Sequence, residues 1–90
     1  MVHPLCAATG HSHVLNGRFK GGWTTRHYGD PARGVHAIQM ELAMRGYMAE
    51  PAEPTPENWP AAFDANAAAP MTATLRGVLE ACIDFAKGQR

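Results

Sequence analysis

Large apolar side chains are scarce in this sequence. Leu, Ile, Val and Phe together supply fourteen of its 90 residues and aromatics 8%, whereas alanine alone supplies sixteen positions of the 46% that are hydrophobic. An interior built mainly of alanine buries little area against the conformational entropy of so short a chain, which hides only about 60–65% of its unfolded surface. The chain, read as a single domain over residues 1–90, is expected to lean on something beyond its own core. A net charge is also missing, at +0, so the large charge that accompanies compositional disorder is not there.

Long apolar runs are absent as well. None approaches the roughly eighteen residues of a membrane span, and His3 and Pro4 interrupt the start before a signal-like stretch can form. The expectation is a soluble, cytoplasmic chain with no membrane partner. Cysteine is almost missing: Cys6 and Cys82 stand alone, neither at metal-type spacing, which reads as two thiols rather than a disulfide. A pI near 7.0 argues against nucleic acid, since binding a phosphate backbone normally needs a basic domain.

What is present is unevenly placed. Residues 1–45 carry Arg18, Lys20, Arg26, Arg33 and Arg45 against Asp30 and Glu41, and residues 46–90 carry the opposite excess of acids. The first half is therefore the one to meet anions. Val2 to Thr9, closed by Gly10, suits the end of a helix. Ser12 to Asn16 before Gly17 suits a short strand ending in a turn. Residues 35–42 read either way: a period of two puts His36, Ile38, Met40 and Leu42 on one face, while propensity favours a helix from Ala37. Residues 50–60, with four prolines and three glutamates, are expected to be a solvated linker, and a short helix is expected at Ala61–Ala67. From Pro70, the positions Leu75, Val78, Leu79, Cys82, Ile83 and Ala86 repeat as an amphipathic helix over residues 70–88.

Chemistry concentrates between Asn16 and Gly29, in Asn16-Gly-Arg-Phe-Lys-Gly-Gly-Trp-Thr-Thr-Arg-His-Tyr-Gly29. Glycines let backbone N–H groups approach an anion, and an arginine fork matches a carboxylate with two parallel hydrogen bonds. The alternative is a surface loop of solvated cations. Glu41 is the one acid in Ala37–Met44. In a buried run it would be desolvated and suited to general-base duty, and on an exposed helix it would pair with Arg45 four residues on. His11 and His13, with His27 and His36, are possible metal donors, but no further ligand falls at a zinc spacing. Phe19, Trp23 and Tyr28 could stack on bases, although aromatics covering a thin core explain them more simply.

Taken together, the run from Asn16 to Gly29, then Gly34-Val-His-Ala-Ile-Gln-Met-Glu-Leu42 and Tyr47-Met48, closely resemble the C-terminal third of the N-formylglutamate deformylases, or N-formylglutamate amidohydrolases. The resemblance runs from about Leu5 to the final helix, and the family's members are about three times as long. It implies hydrolysis of N-formyl-L-glutamate to formate and L-glutamate in histidine degradation. It also implies an α/β fold, of which this chain would be the C-terminal fragment: a zinc-carboxypeptidase- or aspartoacylase-like architecture with few strands here and a C-terminal amphipathic helix. Such enzymes combine a metal-bound water, a glutamate base and an arginine for the substrate carboxylate.

By motif, Glu41 corresponds to the base and Arg26 to the carboxylate clamp, with Thr25, Lys20 and Arg18 as further substrate-binding candidates. The same resemblance turns residues 35–42 toward strand. The family's zinc-binding motifs are expected to lie before Met1, so zinc belongs to the full-length family and none is expected in this chain alone. The expectation is a part inactive by itself, its partners a small dicarboxylate and further copies of itself through an uncovered strand edge. The alternative is a non-catalytic carboxylate-binding or protein-interaction module using the loop of residues 17–29.

Overall fold

A computed structural model describes residues 2–88. Three helices account for its regular structure: α1 (Val2–Ala7), α2 (Trp23–Tyr28) and α3 (Ala65–Gly88), with single 3₁₀ turns at Pro31–Arg33 and Met44–Gly46. α1 and the Met44–Gly46 turn both pack on α3. The helix α3 is thus the spine of the molecule.

The 24-residue α3 begins earlier than the periodicity predicts, and Asp64 is the reason. Its carboxylate accepts from the N–H groups of Asn66 and Ala67 at 2.9 and 3.3 Å, and its carbonyl accepts from Ala68 at 3.0 Å. This is an N-cap. The expected short helix at Ala61–Ala67 is therefore corrected: residues 61–64 are not helical, and the rest belongs to α3. Pro70 lies inside the helix, where its missing N–H and its ring cost about 3 kcal/mol. The Asp64 cap at the start of the same helix offsets part of that cost.

Only Ala68 and Val78, at 8% and 6% exposure, are buried in the described chain. The radius of gyration is 16.0 Å, against about 12 Å for a compact chain of this length. The scarcity of large side chains thus appears directly as an open shape. The apolar stripe of α3 is wider than the fold covers: Val78 is buried, but Leu79 and Ile83 are 65% and 54% exposed.

Two local expectations are corrected. Ser12–Asn16 is not a strand, although Asn16 takes the left-handed φ of 52° that suits its turn. Residues 36–43 form neither helix nor strand. A run of this length is too short to hold a helix without packing, and Ile38 is 55% exposed. A strand, for its part, needs a neighbour for its ladder, and among the described residues the pairing found is one antiparallel bridge between Asp30 and Val35. Residues 50–60 lack helix and strand, as the prolines dictate, yet they fold into a defined turn rather than a loose linker. No helix among the described residues is long and apolar enough to cross a membrane.

Candidate functional site

The basic, glycine-rich segment is organised around Gly21 and Gly22. Gly21 adopts φ +92°, and a Cβ there would lie 2.6 Å from the Thr25 hydroxyl oxygen, so only glycine fits. The chain then enters α2. The Thr25 hydroxyl donates to the Gly22 carbonyl at 2.9 Å, and Nη1 of Arg26 reaches back to the Gly21 carbonyl at 3.3 Å. The two residues are thereby fixed side by side, with the guanidinium exposed.

Thr25 and Arg26 line a cleft of about 680 Å³ that runs between α2, the segment Gly34–Ile38 and α3. The opposite wall is Cys82, Phe85 and Ala86 of α3. His36 meets Phe85 edge to face, with ring centroids 4.9 Å apart, which ties the segment to the helix. The cleft is an apolar trough with one arginine, a form that suits a carboxylate with a short hydrocarbon body.

The other predicted residues lie outside this lining. Glu41 is exposed, and its carboxylate accepts from the Gln39 side-chain amide at 2.7 Å. It precedes the 3₁₀ turn that holds Arg45, so the helical pairing of Glu41 with Arg45 is not formed. Gln39 in turn stands over the backbone at Gly22, where a Cβ would come within 3.1 Å of its Oε1. Arg26 is thus bonded to the Gly21 carbonyl, and Glu41 to a side chain that lies close to Gly22. Lys20 is exposed, and the Arg18 guanidinium lies 5.7 Å from the Phe19 ring centre.

The aromatics do not cover a core. Trp23 and His27, four residues apart on α2, stack at 4.2 Å with planes 13° apart, and Tyr28 meets both edge-on. This cluster and Phe19 remain exposed.

Sequence reasoning missed Phe85 and the cleft-facing role of His36 and Cys82. The signal was at hand for Phe85, which continues the Val78 and Cys82 positions of the α3 repeat at i+7. For metal, His3 and His13 approach with ring centroids 5.2 Å apart, but among the described residues no three His, Cys, Asp or Glu side chains gather as a metal site. The donors of the zinc that the resemblance implies are not assembled here.

A profile of the family described as N-formylglutamate amidohydrolase matches residues 1–48, which include Thr25, Arg26 and Glu41 but not the α3 wall of the cleft. The chain belongs to the N-formylglutamate amidohydrolase family. Among relatives in that family, it is similar to the N-formylglutamate deformylase of Pseudomonas putida, 70% identical over 47 residues, which are 51% of this chain and 18% of the relative. It is also similar to the N-formylglutamate deformylase of Pseudomonas aeruginosa, 48% identical over 87 residues, which are 96% of this chain and 30% of the relative. The chain therefore spans less than a third of the length of either enzyme. No solved structure matches it.

Proposed function

We propose that this chain is the substrate-binding and general-base part of a deformylase acting on N-formyl-L-glutamate, inactive without the remaining length that its relatives have. The observation that supports this reading is the pairing of Arg26 with Thr25 in one apolar cleft, inside the half that the family profile matches. The Arg26 fork takes a substrate carboxylate, Thr25 offers a neighbouring hydroxyl, and Lys20 and Arg18 serve the second carboxylate. Glu41, held by Gln39 beside Gly22, accepts a proton from the water that adds to the formyl carbon. It returns the proton to the nitrogen as the C–N bond breaks, giving formate and L-glutamate. The described residues do not supply a donor set for zinc.

In the assembled enzyme, residues 35–42 join the sheet of a zinc-carboxypeptidase- or aspartoacylase-like α/β fold as a strand, which also covers part of the exposed apolar surface of α3. We place the enzyme in the cytoplasm, in histidine degradation. Left alone, the chain associates with copies of itself. A second reading is favoured by the position of Glu41 outside the cleft lining: a non-catalytic carboxylate-binding module using residues 17–29. Joining the chain to the upstream two-thirds of the Pseudomonas aeruginosa relative and assaying formate release separates the two. Release supports the enzyme, and carboxylate binding without release supports the module.

A further inference from the structure

His36 lines the Arg26 cleft and has no task in the proposed reaction. A short series of contacts places it there. Asp30 and Val35 exchange two backbone hydrogen bonds, at 2.8 and 3.0 Å, which fold residues 30–35 back toward the end of α2, and Gly34 closes that turn at φ +78°. Ala37 then lies against the end of α2, since a Cβ on Gly29 would come within 3.5 Å of the Ala37 Cβ. Between these two fixed points stands His36, its ring edge to face with Phe85 of α3 at 4.9 Å. Neither of its ring nitrogens hydrogen-bonds to any described residue.

The lining selects for anions by what it holds and what it omits. Its nitrogen donors are the Arg26 guanidinium and the His36 imidazole, and no Asp, Glu or Lys belongs to it. Asp30 and Asp84, which adjoin lining residues in sequence, are outside it. A carboxylate in the cleft therefore meets donors and no like charge. Imidazole offers at least one N–H in either protonation state, so the donor does not depend on the charge of His36. The remainder, Val35, Ile38 and Phe85 among it, covers methylene groups but cannot take a second charge. A monocarboxylate leaves one of the two donors unused, whereas two carboxylates joined by methylenes use both donors and the apolar wall. Lys20 and Arg18 are not part of the lining.

We infer that His36 is a substrate-binding residue of this cleft: its imidazole N–H takes the second carboxylate of a dicarboxylate whose first is held by Arg26, while Lys20 and Arg18 attract the dianion from solution. The inference deepens the deformylase reading and rests on its assignment of Arg26 to the substrate.

The test compares glutarate with butyrate, a monocarboxylate of nearly the same carbon chain, in NMR titrations of the 90-residue chain at constant ionic strength, observing the Arg26 side chain and the His36 ring. Glutarate should shift both groups and bind about tenfold more tightly than butyrate. His36→Phe keeps a ring against Phe85 and removes the donor, so it should lower that preference to about twofold or less with butyrate affinity unchanged. If His36→Phe disturbs the segment, seen as an altered butyrate affinity, the response of the wild-type His36 ring to glutarate decides by itself. A His36 ring that ignores glutarate while Arg26 responds, or a full preference for glutarate in His36→Phe, overturns the inference and leaves the Arg26 reading standing. So does a preference lost in Lys20→Ala with Arg18→Ala but kept in His36→Phe. An Arg26 side chain that responds to neither acid overturns both.

Discussion

The Gln39 amide donates to the Glu41 carboxylate at 2.7 Å while its own oxygen stands over Gly22. One side chain thereby lies between the acid of the second motif and the glycine turn that carries Arg26. The two family motifs, separated by the four residues 30–33, come together near Gly21 and Gly22, and that step is where substitutions should tell most.

Gly21→Ala tests it. The added Cβ would meet the Thr25 hydroxyl at 2.6 Å and force a side chain into φ +92°, a cost of roughly 1–3 kcal/mol. The Thr25 and Arg26 hydrogen bonds to Gly22 and Gly21 should be lost together. In NMR titrations with glutarate, the wild-type chain should show shifts of the Arg26 side chain, and this variant should not. Intact glutarate binding would show that the turn does not aim the arginine.

The spine helix gives a second expectation. Gly77 has open space where a Cβ would go, so Gly77→Ala should raise stability by about 1 kcal/mol. Asp64→Ala should lower it by about 1 kcal/mol through loss of the N-cap. Thermal melts followed by circular dichroism measure both, and a destabilising Gly77→Ala would mean that the helix packs there against something further.

These helix terms also mark what the sequence made legible. The Leu75–Ala86 periodicity and the glycine-rich basic run were readable because each rests on spacing within a few residues. The start of α3 was not, because Pro70 suggested a beginning that Asp64 had already provided. The conformation of residues 35–42 was not either: strand pairing is decided by a neighbouring strand, and these residues hold no local signal for one. The cleft combined two readable features, Arg26 and the α3 face, whose meeting depends on the chain path between them.

Self-association follows from the uncovered stripe. With Leu79 and Ile83 at 65% and 54% exposure, the chain should form dimers or larger species in light scattering at high concentration. Leu79→Glu with Ile83→Glu should shift the population toward monomer. A wild-type chain that stays monomeric and melts cooperatively would show a self-sufficient fold.

Zinc should not accompany the purified chain in stoichiometric amount, because its histidines gather no third donor among the described residues. Elemental analysis of protein prepared without chelator measures this. One zinc per chain, lost on replacing His11 and His13, would require a metal site that the proposed division of labour does not contain.

In the proposed division of labour Arg26 binds and Glu41 reacts, and steady-state formate release by the chain joined to the upstream part of the Pseudomonas aeruginosa relative separates the two roles. Arg26→Ala should act mainly on KM, because a bidentate carboxylate contact is present in the ground state as well as in the transition state. Glu41→Gln should lower kcat by roughly 10²–10⁴-fold with KM almost unchanged, the usual effect of removing a positioned acid or base. A Glu41→Gln enzyme with near-normal kcat would contradict the account and leave Glu41 as a surface carboxylate held by Gln39.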